Sequence, residues 1–368
     1  MHKLDTFIWS INTLYIQNQP IDQRMAHLET ALSKAWSHLD RTNDRPTPWG
    51  MFVAPEYLFA KEVLGGGKKH VYGKTQRYLD ESEKNRIVSW GEQLSEKYPQ
   101  LIIIPGTVAW QKAFERTGRK VFNKSEVMKT SSRYDKAVEG VKHYAYQVLQ
   151  KQSHIGVGDI LDEKISSKLF TVSALSTSEK IQQINSLKSS GVGDSNSSEP
   201  VAQAEAYMGR NTAYVLYGGK VCLKYNKMSD FHESLVDQKT TVFIPGTKRG
   251  LFSIPIEKSG GRPIDFGMEI CLDHNQKVFS ISNSGKAVDI HLILSAFTST
   301  VEGNCNVNSG GYIVHASAMD DCSNIFQALG GSSFHKDSLE AIDKLVLVDV
   351  MKKLGGELYR KVLEVELK

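Results

Sequence analysis

Three apolar runs in this chain end on a residue that can do chemistry. Met51-Phe52-Val53-Ala54-Pro55 runs into Glu56, Val221 to Asn226 delivers Lys227, and Phe266 to Ile270 delivers Cys271. Taken alone, a cysteine closing an apolar run is more often a small buried hydrophobe than a nucleophile. A single charge at a strand end is usually the first solvated residue of a loop. A carboxylate, an ammonium and a thiol presented at three such ends are a different matter. A free thiol has a pKa near ~8.5 and is mostly protonated at neutral pH. An adjacent carboxylate can take its proton as the sulfur attacks, and an adjacent ammonium can stabilise the negative charge that develops.

The elements that must position these residues follow from periodicity. Thr6 to Ile16 predicts a strand with Phe7, Trp9 and Ile11 on one face. Pro20 opens a helix whose Ile21, Met25, Leu28, Leu32, Ala35 and Leu39 form an amphipathic stripe. The prolines at 46 and 48 break the pattern before the strand that ends at Glu56. Gly65 to Lys69 is a glycine-rich loop without the spacing of a phosphate-binding loop. A second helix carries Ile87, Trp90, Leu94 and Tyr98 and stops at Pro99. Leu101 to Thr107 then reads as a strand covered on both faces. Periodicity fades over 116–206, where short helices are expected at 144–149 and 180–187 and a Ser/Gly-rich stretch at 186–200 has the composition of a linker.

Strand patterns resume with Arg210 to Tyr217, a Gly218-Gly219 turn and a return strand from Val221 to Tyr225. Leu251 to Pro255 and Val288 to Leu294 are further strands. Phe266, Met268 and Ile270 share one parity in the strand leading to Cys271. Gly311 to Met319 reads as a helix, Ser323 to Ala328 as a strand, and 345–350 and 362–367 as terminal strands. The expectation is one domain over 1–350 interrupted by an insertion at 116–206, with 351–368 as a C-terminal strand or tail. Alternating strands and helices point to an α/β architecture.

In the order Glu, Lys, Cys, these strand ends resemble the nitrilase (carbon–nitrogen hydrolase) superfamily. Gly267-Met268-Glu269-Ile270-Cys271-Leu272-Asp273 fits that family's Gly-x-x-Ile-Cys-x-Asp pattern in full, and the Asn-Thr-Ala strand at 211–213 followed by a glycine turn fits its lysine hairpin. The long insertion is the main departure. The resemblance implies a four-layer αββα sandwich with Glu56 as general base, Lys227 as charge stabiliser and Cys271 as nucleophile. It also implies a second glutamate, for which Glu233 fits, and an oxyanion donor in the Leu272 N–H. Tyr57, Asp273 and His274 are the pocket candidates, with a surface or supporting role favoured for the last two. Lys224 is the other lysine in range, but Lys227 fits the family's placement better.

The implied reaction is hydrolysis of a small linear amide through a thioester, with no metal or organic cofactor, in a homodimer. Family nitrilases commonly carry Trp and Glu after the cysteine; Leu272 and Asp273 stand closer to the amidase branch, and nitrile hydrolysis is the alternative. An idle binding scaffold that uses the insertion for a partner is the alternative of another class. Composition fits an enzyme of this kind. The chain of 368 residues is 40% hydrophobic, enough for a large core. Its 45 basic and 41 acidic side chains nearly balance, giving a net charge of +4. Nothing in that balance calls for nucleic acid or a membrane surface. Cys222, Cys271, Cys305 and Cys322 are too sparse for a disulfide scaffold, and none forms a C-x-x-C pair. Free thiols and the absence of a signal-peptide pattern or an apolar membrane run lead to the expectation of a cytoplasmic protein.

Overall fold

The computed structural model describes residues 1–16, 19–40, 46–62, 76–113, 207–229, 241–243, 245–256, 262–283, 286–319, 322–330, 333–345 and 356–366. Two sheets are packed face to face. The nine-stranded sheet contains β1 (His2–Ser10), β2 (Gly50–Val53), β5 (Leu101–Ile104), β6 (Thr107–Ala113), β7 (Tyr207–Tyr217), β8 (Lys220–Asn226), β9 (Thr241–Phe243), β16 (Glu340–Leu345) and β17 (Gly356–Val365). Its main path runs β16-β17-β1-β2-β5-β7-β6, with β8 and β9 both pairing β7. The six-stranded sheet runs in order through β10 (Leu251–Ile254), β11 (Ile264–Ile270), β12 (Val288–Ser295), β13 (Val307–Ser317), β14 (Asn324–Gly330) and β15 (Ser333–Asp337). A separate ribbon joins β3 (Lys61–Glu62) and β4 (Gln76–Arg77).

Strand parity decides what each face meets. Leu4 and Ile8 of β1, Ile102 and Ile104 of β5, and Val215 of β7 point into the layer between the sheets. Phe266, Met268 and Ile270 of β11 and Leu292 and Leu294 of β12 meet them there. The opposite faces of the nine-stranded sheet carry Phe7, Trp9, Phe52, Leu101 and Ile103, which pack beneath α2 (Ile21–Ser37) and α3 (Glu81–Lys97). The predicted stripe of α2 is buried at Ile21, Met25, Leu28, Leu32 and Ala35. The start of α3 is fixed by a capping box between Asp80 and Glu83. α4 (Leu272–Asn275) continues from the end of β11, and α5 (Val278–Ser282) lies on the far side of the six-stranded sheet, with Phe279 against Gly267. The order of layers is therefore helix, sheet, sheet, helix.

Gly267 shows why the motif around Cys271 needs a glycine. A Cβ built there would stand 2.3 Å from the Phe279 ring, so the missing side chain is what lets α5 lie on β11.

The structure departs from the sequence-based expectations at several places. The first strand stops at Ser10, and the apolar run beyond it forms the short helix α1 (Thr13–Ile16), whose Ile16 turns into the helix-side core. The helix expected over 311–319 is instead most of β13. This strand pairs parallel to β12 and antiparallel to β14, and Ile313 and Val314 face opposite cores, so burial on both faces removes the alternation that marks a strand. The C-terminal strand is longer than expected and is no tail: β17 pairs β1 from His2↔Val365 to Ser10↔Glu357. Of the strand expected at 345–350 only Leu345 is described, as the end of β16. The Gly65–Lys69 loop and the 116–206 insertion lie outside the described residues. Among the described residues, no helix is long and apolar enough to cross a membrane.

The tight seat of Gly267 makes a direct prediction. Gly267→Ala should drive Phe279 and α5 off β11 and lower unfolding stability by ~1–3 kcal/mol, the usual scale of overpacking. Chemical denaturation of both proteins measures this, and equal midpoints would show that α5 moves away freely.

Candidate active site

Glu56 follows β2 across Ala54 and Pro55, Lys227 follows β8, and Cys271 follows β11. Glu56 and Lys227 are completely buried and Cys271 is 4% exposed. Lys227 Nζ donates to Glu56 Oε1 at 2.9 Å. Asn211 Nδ2 of β7 donates to the same oxygen at 2.9 Å, and the Ala296 N–H, just past β12, donates to Oε2 at 2.9 Å. Behind the carboxylate, Thr13 Oγ1 donates to the Glu56 carbonyl at 2.9 Å. The segment beyond is held as firmly. The Tyr57 N–H donates to Thr107 Oγ1, and Arg24 of α2, wholly interior, donates to the carbonyls of Leu58 at 3.0 Å and Ala60 at 2.6 Å. Burial lowers the Arg24 guanidinium to about 10, only partly offset by Glu83.

Cys271 sits on a sharp corner with φ 49 and ψ −106. Its N–H is bonded to Leu294 O of the neighbouring strand and its carbonyl to the His274 N–H. The thiol contacts Thr298 Oγ1 at 3.1 Å. Burial pushes this thiol up to about 11, and the Glu56 charge pushes the same way. Lys227, the Thr298 hydroxyl and the Ala296 N–H pull it down without prevailing. Ala296 thus acts on both the carboxylate and the thiol. At neutral pH the sulfur holds its proton.

The remaining predicted residues stand as follows. Leu272 is the first residue of α4, so its N–H is one of that helix's initial donors. The Tyr57 ring lies 5.6 Å from Lys227 Nζ and walls the ammonium. Asp273 is buried and turns toward β8, accepting from Tyr225 Oη, Met228 N–H and Ser229 N–H. His274 is also fully buried, so its place is not the surface: Nδ1 contacts Glu269 Oε2 at 2.9 Å, and Nε2 accepts the Val301 N–H at 2.9 Å. Lys224 lies over Trp110 on the helix side of the sheet, away from Glu56. Glu233 lies outside the described residues.

Glu269, His274 and His291 bring three ligand-type atoms within 4.8 Å of one another. Both ring nitrogens of His274 are already used internally, while His291 Nε2 stands 3.1 Å from Glu269 Oε2 without a hydrogen bond of good geometry. Because Val301 N–H occupies the Nε2 lone pair of His274, its proton resides on Nδ1 and is donated to Glu269. That nitrogen has no lone pair left for an ion. Burial would raise Glu269, but the contacts of His274 and His291 hold it below the usual carboxylate range. The cluster therefore braces the Cys271 corner against the loop that carries Thr298.

Solved structures with a similar chain trace were found at low sequence identity. Nit3 of Saccharomyces cerevisiae, a member of branch 10 of the nitrilase superfamily, is 14% identical, with 100% of this chain and 92% of that chain covered and a TM-score of 0.45. A nitrilase-superfamily amidase from Nesterenkonia AN1 is 8% identical over 98% of this chain and 90% of that chain, with a TM-score of 0.43. A carbon-nitrogen hydrolase from Helicobacter pylori G27 is 10% identical over 98% and 89%, with a TM-score of 0.41. No family model and no curated protein matches the chain by sequence.

Asn211, the Ala296 N–H and Thr298 were not singled out from the sequence. The polar run Thr298-Ser299-Thr300, which begins three residues after the end of β12, was the available signal for Thr298, and the Asn-Thr-Ala strand was the signal for Asn211; a backbone N–H leaves none.

Thr298→Val keeps the shape and removes the hydroxyl from the thiol. The Cys271 pKa should rise, and alkylation by iodoacetamide at fixed pH should slow by about tenfold, the scale of a hydrogen bond to a charged group. Alkylation rates followed by mass spectrometry from pH 7 to 10 test this; unchanged rates would remove Thr298 from the site.

Proposed function

We propose that the protein is a nitrilase-type carbon–nitrogen hydrolase that cleaves a small linear amide through a thioester on Cys271. The observation that carries this reading is the buried Lys227–Glu56 contact, both of whose charges act on the Cys271 thiol. Such a pair is expensive to bury and is common where charge must be placed for chemistry.

The thiol's raised pKa shapes the mechanism. No standing thiolate is available, so Glu56 takes the proton as Cys271 Sγ attacks the amide carbon. The carbonyl electrons move to oxygen, and the oxyanion is met by the Lys227 ammonium and the Leu272 N–H. Protonated Glu56 then gives its proton to the leaving nitrogen, the C–N bond breaks, and ammonia or an amine departs from the thioester. Glu56, again a carboxylate, takes a proton from water as it adds to the thioester. Collapse of the second tetrahedral species releases the acid, and the sulfur recovers its proton from Glu56. Asn211 and the Ala296 N–H keep the carboxylate aimed throughout. The burial of all three reacting groups favours a small substrate. Leu272 and Asp273 in place of Trp and Glu support the amide over the nitrile.

Cys271→Ala should remain folded and lose turnover; a folded variant with wild-type turnover would end this mechanism. Glu56→Gln should block both acylation and thioester hydrolysis. Lys227→Ala should slow turnover by ~10²-fold or more, as loss of an oxyanion donor does.

Hydroxylamine separates the two substrate classes. With an amide, the thioester should be trapped as a hydroxamate while ammonia or amine is released. Turnover of matched nitriles to acid and ammonia, with no hydroxamate from amides, would replace this reading with a nitrilase.

A further inference from the structure

Asp273 lies two residues beyond Cys271, yet its carboxylate is turned away from the thiol and across the junction between the sheets. It accepts from Tyr225 Oη at 2.7 Å, from the Met228 N–H at 3.1 and 3.0 Å to its two oxygens, and from the Ser229 N–H at 2.7 Å. Met228 and Ser229 directly follow Lys227, and Tyr225 is two residues before it. One carboxylate thus gathers donors on both sides of the lysine. The Lys227 peptide groups are fixed as well, its N–H to Asn211 O at 2.8 Å and its carbonyl to the Gly246 N–H at 2.9 Å.

We propose that Asp273 is a positioning residue: its carboxylate ties the Lys227 turn of one sheet to the Cys271 turn of the other and so sets where the ammonium stands relative to the thiol. This rests on Lys227 and Cys271 being the reacting pair. The physical reason is donor–acceptor matching. Tyr225, Met228 and Ser229 all present donors, which only an acceptor can satisfy. A protonated carboxyl adds a donor of its own and leaves fewer acceptor sites for them.

Burial raises Asp273 to about 7, and Lys227, the Tyr225 hydroxyl, the Met228 N–H and the Ser229 hydrogen bond keep it from rising further. The ionisable groups around it are Tyr225 and Lys227 from the β8 side, with Glu56 bonded to Lys227, and Cys271 and His274 on its own turn, His274 being directed to Glu269. As pH falls through about 7 the clamp is lost. Stability moves the other way. A folded-state value above the ordinary carboxylate range means that protonation favours the folded chain, so this group's contribution to stability rises as pH falls from about 7 toward 4. Release of the lysine turn and unfolding are therefore separable.

The test uses the full chain as wild type, Asp273→Asn and Tyr225→Phe. Amide hydrogen exchange at Met228 and Ser229, corrected for its intrinsic pH dependence, should lose protection in the wild type as pH falls through 7. In Asp273→Asn protection should be low at every pH. In Tyr225→Phe the loss should move to higher pH, because the hydroxyl that holds the carboxyl down is gone. On the amide that yields a hydroxamate, kcat of Asp273→Asn should fall about tenfold or more with KM changed less than about threefold, the pattern of a misplaced catalytic group. The acid limb of the Tyr225→Phe rate profile should shift upward with its exchange profile.

Retained protection at Met228 and Ser229 in Asp273→Asn, or an unmoved acid limb in Tyr225→Phe, would overturn the proposal. Should Asp273→Asn not fold, the Tyr225→Phe profiles decide. A wild type that hydrolyses no amide but shows the predicted exchange would overturn the amidase reading while the clamp stands.

Discussion

The site depends on one interaction, the contact between Lys227 Nζ and Glu56 Oε1, two fully buried side chains. Removing each ion from water costs several kcal/mol even after relaxation, and attraction alone does not reliably offset that. What makes the pair tolerable is the rest of its hydrogen bonding. Asn211 shares Oε1 with the lysine, the Ala296 N–H saturates Oε2, and the Tyr57 ring covers the ammonium. These groups come from β7, from the end of β12 and from the segment after β2. The pair can therefore exist only where the ends of strands from both sheets converge. The packing of the two sheets on a shared apolar layer brings those ends together, and removal of either ion would leave the other uncompensated at a cost of about 3–5 kcal/mol.

The charge balance around the thiol follows from the same arrangement. Lys227 faces two buried carboxylates, Glu56 and Asp273. Burial opposes a negative charge on Cys271, and the ionised Glu56 opposes it as well. An arrangement that relied on a standing thiolate would carry an excess of cations around the sulfur. In the proposed mechanism the proton leaves the sulfur only as the carbon–sulfur bond forms, with Glu56 as its acceptor. The hydroxyl of Thr298 and the N–H of Ala296 are the neutral donors that remain to support the sulfur without adding charge.

Much of this was legible in the sequence because it consisted of interruptions. Glu56 and Cys271 each break an apolar run, Lys227 closes a strand, and the parity of Phe266, Met268 and Ile270 fixes which face of β11 meets the other sheet. The stripe of α2 was equally clear. Illegible were features created by long-range packing. Gly311 to Met319 lacks alternation because β13 is covered on both faces, and His315 within it is buried against Ser295 and Thr300, which side chains far along the sequence supply. Burial there pushes the imidazole down to about 3, so it serves as a neutral hydrogen-bonding strut. The first strand was overextended because Ile11 and Ile16 remain apolar in the turn and helix that follow. Asp273 looked like a pocket residue from its distance to Cys271 along the chain; only the orientation of α4 shows that it points at the lysine turn.

Backbone strain falls in the same region. Tyr57 at φ 63 and Cys271 at φ 49 are two of the three non-glycine residues with positive φ among the described residues, the third being Lys277 at φ 55. Conformations of this kind cost on the order of 1–3 kcal/mol each and persist where surrounding contacts overdetermine them. Around Tyr57 those contacts are Thr107 Oγ1 and the Arg24 guanidinium. Around Cys271 they are the Leu294 carbonyl, the Glu269–His274 brace and the three donors on Asp273. Glycine would adopt the Cys271 corner without strain, but it has no sulfur to present. The corner breaks the direction of β11 just where its side chains leave the inter-sheet core, and it turns the thiol toward Thr298 and the groups around Glu56. The buried brackets on either side of Cys271 thus supply what the local backbone does not: a reason for a side-chain-bearing residue to remain in that turn.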